Sequence, residues 1–96
     1  MNSSHFQHEN DYHFYFNTLH FIYSIFNDLM KTNDFKSLIK INSIKKEIIY
    51  LRDECKKFHK KDDEIQIYNK ILQLIQTENR DQFLLAKMYI WELYTL

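Results

Sequence analysis

Residues 41–58 read INSIKKEIIYLRDECKKF, and their apolar members fall at Ile41, Ile44, Ile48, Leu51, Cys55 and Phe58. Steps of three, four, three, four and three keep all six side chains on one stripe of a helix, the pattern of a helix packed lengthwise against its neighbours. With a run-in from Asp34, the spacing predicts a central helix over about Phe35 to Lys60. Asn42 and Ser43 are its weak point, because both side chains compete for backbone hydrogen bonds. The unbroken heptad series argues for continuity through them, and a kink there is the alternative.

Outward from this stretch, the chain divides at polar breaks. Residues 1–9 read as a polar, frayed start. Helix one is expected from about Asn10 to Lys31, with Tyr15, Leu19, Ile22, Phe26 and Leu29 on one stripe and much of the aromatic weight of the core. In the break Thr32-Asn33-Asp34, Asn33 suits the left-handed position after a helix and Asp34 suits the cap of the next one. Lys60-Lys61-Asp62-Asp63-Glu64 is a second break, with cations at the negative end of one helix and anions at the positive end of the next. Helix three is expected over about Asp63 to Gln76, its stripe Ile65, Tyr68, Leu72 and Ile75 flanked by Ile67, Ile71 and Leu74.

Asn79 followed by Gln82 is a capping-box signal for helix four. From Phe83 to Leu96 only Lys87, Glu92 and Thr95 are plainly polar. A helix apolar nearly all round must be covered nearly all round. Helix four is therefore expected at the centre of the bundle or in a homodimer contact that includes Trp91 and Tyr94.

The absence of Gly and Pro supports this reading. Without them, positive-φ turns, rigid turns and backbone cradles for phosphate are scarce, so hairpin-rich folds, P-loops and dinucleotide-binding turns are disfavoured. A chain of 96 residues makes one domain, 1–96, and buries roughly 60–70% of the surface its unfolded form exposes. The expected fold is all-α: a four-helix, mostly antiparallel bundle with helices of unequal length.

Net charge is zero but unevenly placed. Residues 1–34 carry one lysine against four acids, residues 35–61 nine bases against three acids, and residues 62–96 three bases against six acids. Packing would let the outer segments neutralise the middle one. The single cysteine excludes an internal disulfide and fits a reducing, cytoplasmic setting. No secretory signal is legible, and Phe14 to Phe26, interrupted by Asn17, His20 and Ser24, is too short for a membrane span. Phe, Tyr, Met, Ile, Asn and Lys supply 49 residues, against three for Gly, Ala, Arg and Pro together. That usage points to an AT-rich gene, as in low-GC genomes, phages and mobile elements.

Few constellations carry chemistry. His8 and His13 stand five apart, about 140° around a helix, so they do not converge as an i, i+4 zinc pair does. His5, Glu9 and His13 share a face and form a weak metal set, with solvated surface histidines as the plain reading. Arg52-Asp53-Glu54-Cys55-Lys56-Lys57-Phe58-His59 resembles the Arg-polar-x(4–6)-His signature of HEPN-type ribonucleases, small all-helical proteins. The resemblance covers Arg52, Asp53 and His59. It implies that Arg52 and His59 stabilise and protonate a phosphate, whereas their flanking positions also suit stem packing and a partner carboxylate. Cys55, on the core stripe, reads as a small buried hydrophobe.

Lys36, Lys40, Lys45, Lys46, Lys56, Lys57, Lys60 and Lys61 encircle the central helix, which reads as a solvated outer side more than a nucleic-acid stripe. Off the core stripe, Ile49 and Tyr50 lie near Lys46, Asp53, Lys56 and Lys57. Apolar groups rimmed by charge suit a protein partner, particularly an acidic one. The sequence thus predicts a protein without catalysis or cofactor that occludes another protein's active site. An immunity protein or antitoxin, or a phage protein blocking a host factor, would have this design. A nucleic-acid-binding regulator is the second reading and a HEPN-like ribonuclease the third.

Overall fold

Five of the six stripe residues, Ile41, Ile44, Ile48, Leu51 and Cys55, are buried. The structure, a computed structural model, describes the backbone of residues 9–59 and 61–95 and the side chains of residues 14–58 and 61–95. The helices are α1 (Glu9–Thr32), α2 (Leu38–Glu54), α3 (Asp62–Leu74) and α4 (Arg80–Thr95), and a π-helical turn, Cys55–His59, extends α2. Together they form an all-α bundle. The frayed start expected over residues 1–9 lies outside the described residues, save that Glu9 opens α1.

Each helix packs against two neighbours: α1 on α2 and α4, and α3 on α2 and α4. Long-range partners fix the directions. Phe14 meets Tyr50 and Asp28 meets Lys40, so α1 and α2 are antiparallel. Phe16 meets Tyr94 and Phe26 meets Phe83, so α1 and α4 are antiparallel as well. Leu19, Ile22, Phe26, Leu29, Ile44, Ile48, Ile71, Phe83, Ala86 and Ile90 are fully buried and meet in one core. Burying each of the larger ones is worth roughly 1.5–3 kcal/mol. Helix four is one corner of this square and not its covered centre; Phe83, Ala86, Ile90 and Leu93 face in, and Leu84, Leu85, Met88 and Trp91 stay exposed.

The helix ends differ from expectation in three places. Asp34 does not cap α2: its carboxylate accepts from the backbone N–H of Lys36 (3.3 Å), and the chain turns to bury Phe35 against Phe83. Ser37 takes the capping role, accepting from the N–H of Lys40. As the unbroken series requires, the central helix continues through Asn42-Ser43, where the Ser43 hydroxyl donates to the carbonyl of Ile39 (3.0 Å) within the helix. Its irregularity comes later, at the π turn.

There the hydrogen bonds span one residue more than in an α-helix, which rotates every later side chain backwards around the axis. Phe58, expected in the core, is 63% exposed, its ring beside Lys57 Nζ. Helix three likewise ends at Leu74 and not Gln76. The N–H groups of Gln76 and Thr77 bond back to Gln73 and Leu74 in tight turns, and the Thr77 hydroxyl also donates to Leu74. The buried line of α3 is Tyr68, Ile71 and Leu74. Asn33 does adopt the left-handed conformation, as does Glu78, and the Asn79 side chain accepts from the N–H of Gln82 (3.2 Å) to start α4.

Candidate functional site

Helix α2 turns its core stripe inward, so residues half a turn away must face out. Lys46, Tyr50, Asp53, Lys56 and Lys57 are exposed, and Ile49 is half-buried. All six residues predicted to meet a partner therefore share the outer side of α2 and its π turn. The structure adds Phe14, the first residue of the early apolar run Phe14 to Phe26. Its ring meets Tyr50 edge to face at 5.8 Å, and both rings remain about half exposed, at 51% and 44%. Phe58, swung out by the π turn, adds another exposed ring beside the end of α2. The signal for Phe14 was present in its offset from the buried series; that for Phe58 was hidden, because no residue type announces a π turn.

Among the described residues, direct pairing of the basic segment with an outer one is confined to a single contact. Lys40 pairs with Asp28 of α1 and Arg52 with the adjacent Asp53 (3.4 Å), the two ion pairs among the described residues. Lys46, Lys56 and Lys57 point to solvent without a carboxylate partner there, so the outer side of α2 keeps its positive charge.

Arg52 faces α3, where its Nη1 donates to Asn69 Oδ1 (2.9 Å), at one edge of an open groove whose other walls are Gln66, Lys70, Gln73 and Gln76. That contact adds an amide on a second helix to the carboxylate partner the guanidinium has in Asp53. The side chain of His59, the other half of the ribonuclease resemblance, lies outside the described residues, as do those of His5, Glu9 and His13. Among the described residues no group of three or more His, Cys, Asp or Glu side chains is placed to hold a metal.

Trp91 and Tyr94 separate in role. Trp91 is 59% exposed, whereas Tyr94 is half-buried and lies against Phe16, Tyr23 and Trp91 in an aromatic cluster between α1 and α4. No helix among the described residues is long and apolar enough to cross a membrane.

A polar cluster that sequence reasoning missed lies inside the same end of the bundle. Tyr15 of α1 and Tyr68 of α3 both donate to Glu64 Oε1, at 3.0 and 3.1 Å. The Cys55 thiol reaches Glu64 Oε2 at 3.4 Å and the Lys61 carbonyl at 3.8 Å. Burial above all, with the negative charge of Glu64 adding to it, holds both tyrosines protonated well above the usual phenol range. Burial, reinforced by Glu64, lifts the Cys55 thiol to about 11. A nucleophilic cysteine needs the opposite shift, so Cys55 is inert at neutral pH. The cluster knots three helices together. Its nearest sequence clue was Glu64 in the first turn of α3, which also reads as an ordinary helix-dipole residue.

No protein-family model matches the chain, and no curated protein or solved structure matches it either.

Proposed function

We propose that the chain acts by binding another protein through the outer side of α2, without catalysis of its own. The observation that carries this is the Phe14–Tyr50 pair, half exposed and bordered by lysines that have no carboxylate partner among the described residues. Aromatic rings supply large contact area at small entropic cost, and the charged rim selects the partner and speeds its approach. An acidic protein surface is the matching chemistry. A rigid face of this kind suits occlusion of a partner's active site, as in an immunity protein or antitoxin against a toxin, or a phage accessory protein blocking a host factor. Size, helical rigidity and the AT-rich residue usage support a protein of that sort.

The test compares the wild type with Tyr50→Ala, Lys46→Glu and Lys57→Glu. A protein retained by the wild type, inhibited by it at one-to-one stoichiometry, and neither retained nor inhibited by the variants at unchanged melting temperature is the expected result. Retention by all the variants would place the interface elsewhere. The unpaired lysines favour one second reading, a nucleic-acid-binding regulator. It predicts salt-dependent binding of duplex DNA that nuclease treatment abolishes.

A further inference from the structure

The outward side of α3 carries a row of carboxamides. Gln66, Asn69, Gln73 and Gln76 follow one another at steps of three, four and three, so they lie along one stripe, and all four are exposed. They wall an open groove of about 670 Å³ between α3 and α2, with Lys70 among them and Arg52 of α2 at its edge. Leu72 is the one apolar side chain in the lining, and no carboxylate belongs to it. The side chains of Gln66, Lys70, Gln73 and Gln76 make no hydrogen bond or ion pair among the described residues. Arg52 gives Nε to Asp53 and Nη1 to Asn69, which orients its fork and leaves Nη2 outside both contacts.

We infer that this groove takes an extended, carboxylate-bearing segment of a protein partner. The inference rests on the protein-binding reading above and names the element that the partner supplies. A carboxamide offers a C=O acceptor and N–H donors, the complement of the N–H and C=O groups along the edge of an extended backbone. From Gln66 to Gln76 the stripe is about 15 Å long, room for roughly four to five extended residues. Charge fixes the side chain: Arg52 and Lys70 line the groove without an acid, so a carboxylate is the complement, and the guanidinium still has N–H groups for it. Asp62 and Asp63 stand in the first turn of α3, a turn before Gln66, so the ligand's carboxylate belongs in the middle of the groove. Single-stranded nucleic acid stacks its bases on aromatic faces, and the lining has none. Through Asp53 the groove adjoins the outer side of α2, and one partner spans both.

The side-chain NH₂ signals of a nitrogen-15-labelled protein read this directly, with the capped pentapeptide acetyl-Ala-Ala-Glu-Ala-Ala-amide as the probe. Saturable shifts of the Gln66, Asn69, Gln73 and Gln76 signals are expected, with little response to the same peptide carrying Gln in place of Glu. Lys70→Glu, a change at an exposed position, should weaken the titration by about tenfold or more, and Gln73→Ala should weaken it less. Lys46→Glu and Lys57→Glu should leave it unchanged, which separates the groove from the outer side of α2. No saturable shift by about 10 mM peptide would overturn the proposal. So would an equal response to sodium acetate, to the Gln peptide or to a thymidine oligonucleotide, or an unchanged titration of Lys70→Glu. With the partner itself, retention lost in Tyr50→Ala but kept in Lys70→Glu and Gln73→Ala sinks the groove and leaves the α2 reading standing. Retention kept in Tyr50→Ala but lost in Lys70→Glu supports the groove and removes the α2 reading.

Discussion

Tyr15 donates to the carboxylate of Glu64 across 3.0 Å, tying the first half of α1 to the first turn of α3, a helix it does not otherwise neighbour in the square. Tyr68 shares the same oxygen at 3.1 Å. One acceptor thus satisfies two largely buried hydroxyls, and removing it costs more than removing either donor. Tyr68→Phe should lower stability by about 1–1.5 kcal/mol, the net worth of a hydrogen bond to a charged group less its desolvation. Glu64→Ala should cost roughly 2–4 kcal/mol, since both hydroxyls and the Cys55 thiol lose their common acceptor. Urea unfolding of the single and double variants checks this. Additive losses in Tyr68→Phe combined with Glu64→Ala would show that the two side chains are not coupled.

The same knot makes the fold sensitive to alkali. The Cys55 thiol titrates near 9.0 when unconstrained and about 11 in the folded chain. A group whose folded value lies above its unfolded one binds its proton more tightly in the native state. Its contribution is therefore complete below about pH 9 and is lost as pH rises towards 11. Tyr15 and Tyr68, raised from 10.0 by burial, extend the loss to higher pH. Melting temperature should hold from pH 7 to 9 and then fall. Cys55→Ala should start less stable and lack the first part of that fall. At pH 8 the native thiol should react with a disulfide reagent only at the rate at which the protein opens.

How much of this was legible in the sequence follows from which physical signals are local. The Ile41, Ile44, Ile48, Leu51 series is buried as its spacing requires, and Asn33 and Asn79 do what an asparagine at a helix boundary does. Those features depend on neighbours within four residues. Phe35 escaped because its burial depends on Phe83, forty-eight positions away, whose ring lies 5.1 Å from it. Phe58 escaped because a stripe is projected along an assumed helical period, and the π turn changes that period inside the stretch. The outer side of α2 was readable as residues and as a face. Phe14, its aromatic complement, came only with the packing of α1 against α2.

Arg80 shows how one side chain closes the far end of the bundle. From the first turn of α4 its Nη1 donates to the Met30 carbonyl (3.1 Å) and to Asn33 Oδ1 (2.9 Å), while its guanidinium lies 6.0 Å from the centre of the Phe35 ring. It thereby serves an unpaired carbonyl at the end of α1 and braces the left-handed Asn33. Lysine carries the charge but not the planar fork. Arg80→Lys should therefore cost about 1 kcal/mol and Arg80→Ala about 1–2 kcal/mol, with amide exchange accelerated first at the end of α1. Equal stability of wild type and Arg80→Ala would mean that water serves the same carbonyl equally well.

The π turn yields the sharpest contrast between two residues of one stripe. Ile48 and Phe58 both belong to the three-four series, yet Ile48 is fully buried and Phe58 is 63% exposed. Ile48→Ala should cost about 2–5 kcal/mol through lost burial and the void left behind. Phe58→Ser should change stability by no more than about 0.5 kcal/mol, the range of an ordinary surface substitution. A straight α-helix through residue 60 would instead draw Phe58 into the core and make both variants severe. Denaturant midpoints of the two proteins therefore decide between an α-helical and a π-helical end to α2. If Phe58→Ser unfolds as readily as Ile48→Ala, the turn is α-helical in solution, and the exposed ring beside the partner-binding face is lost with it.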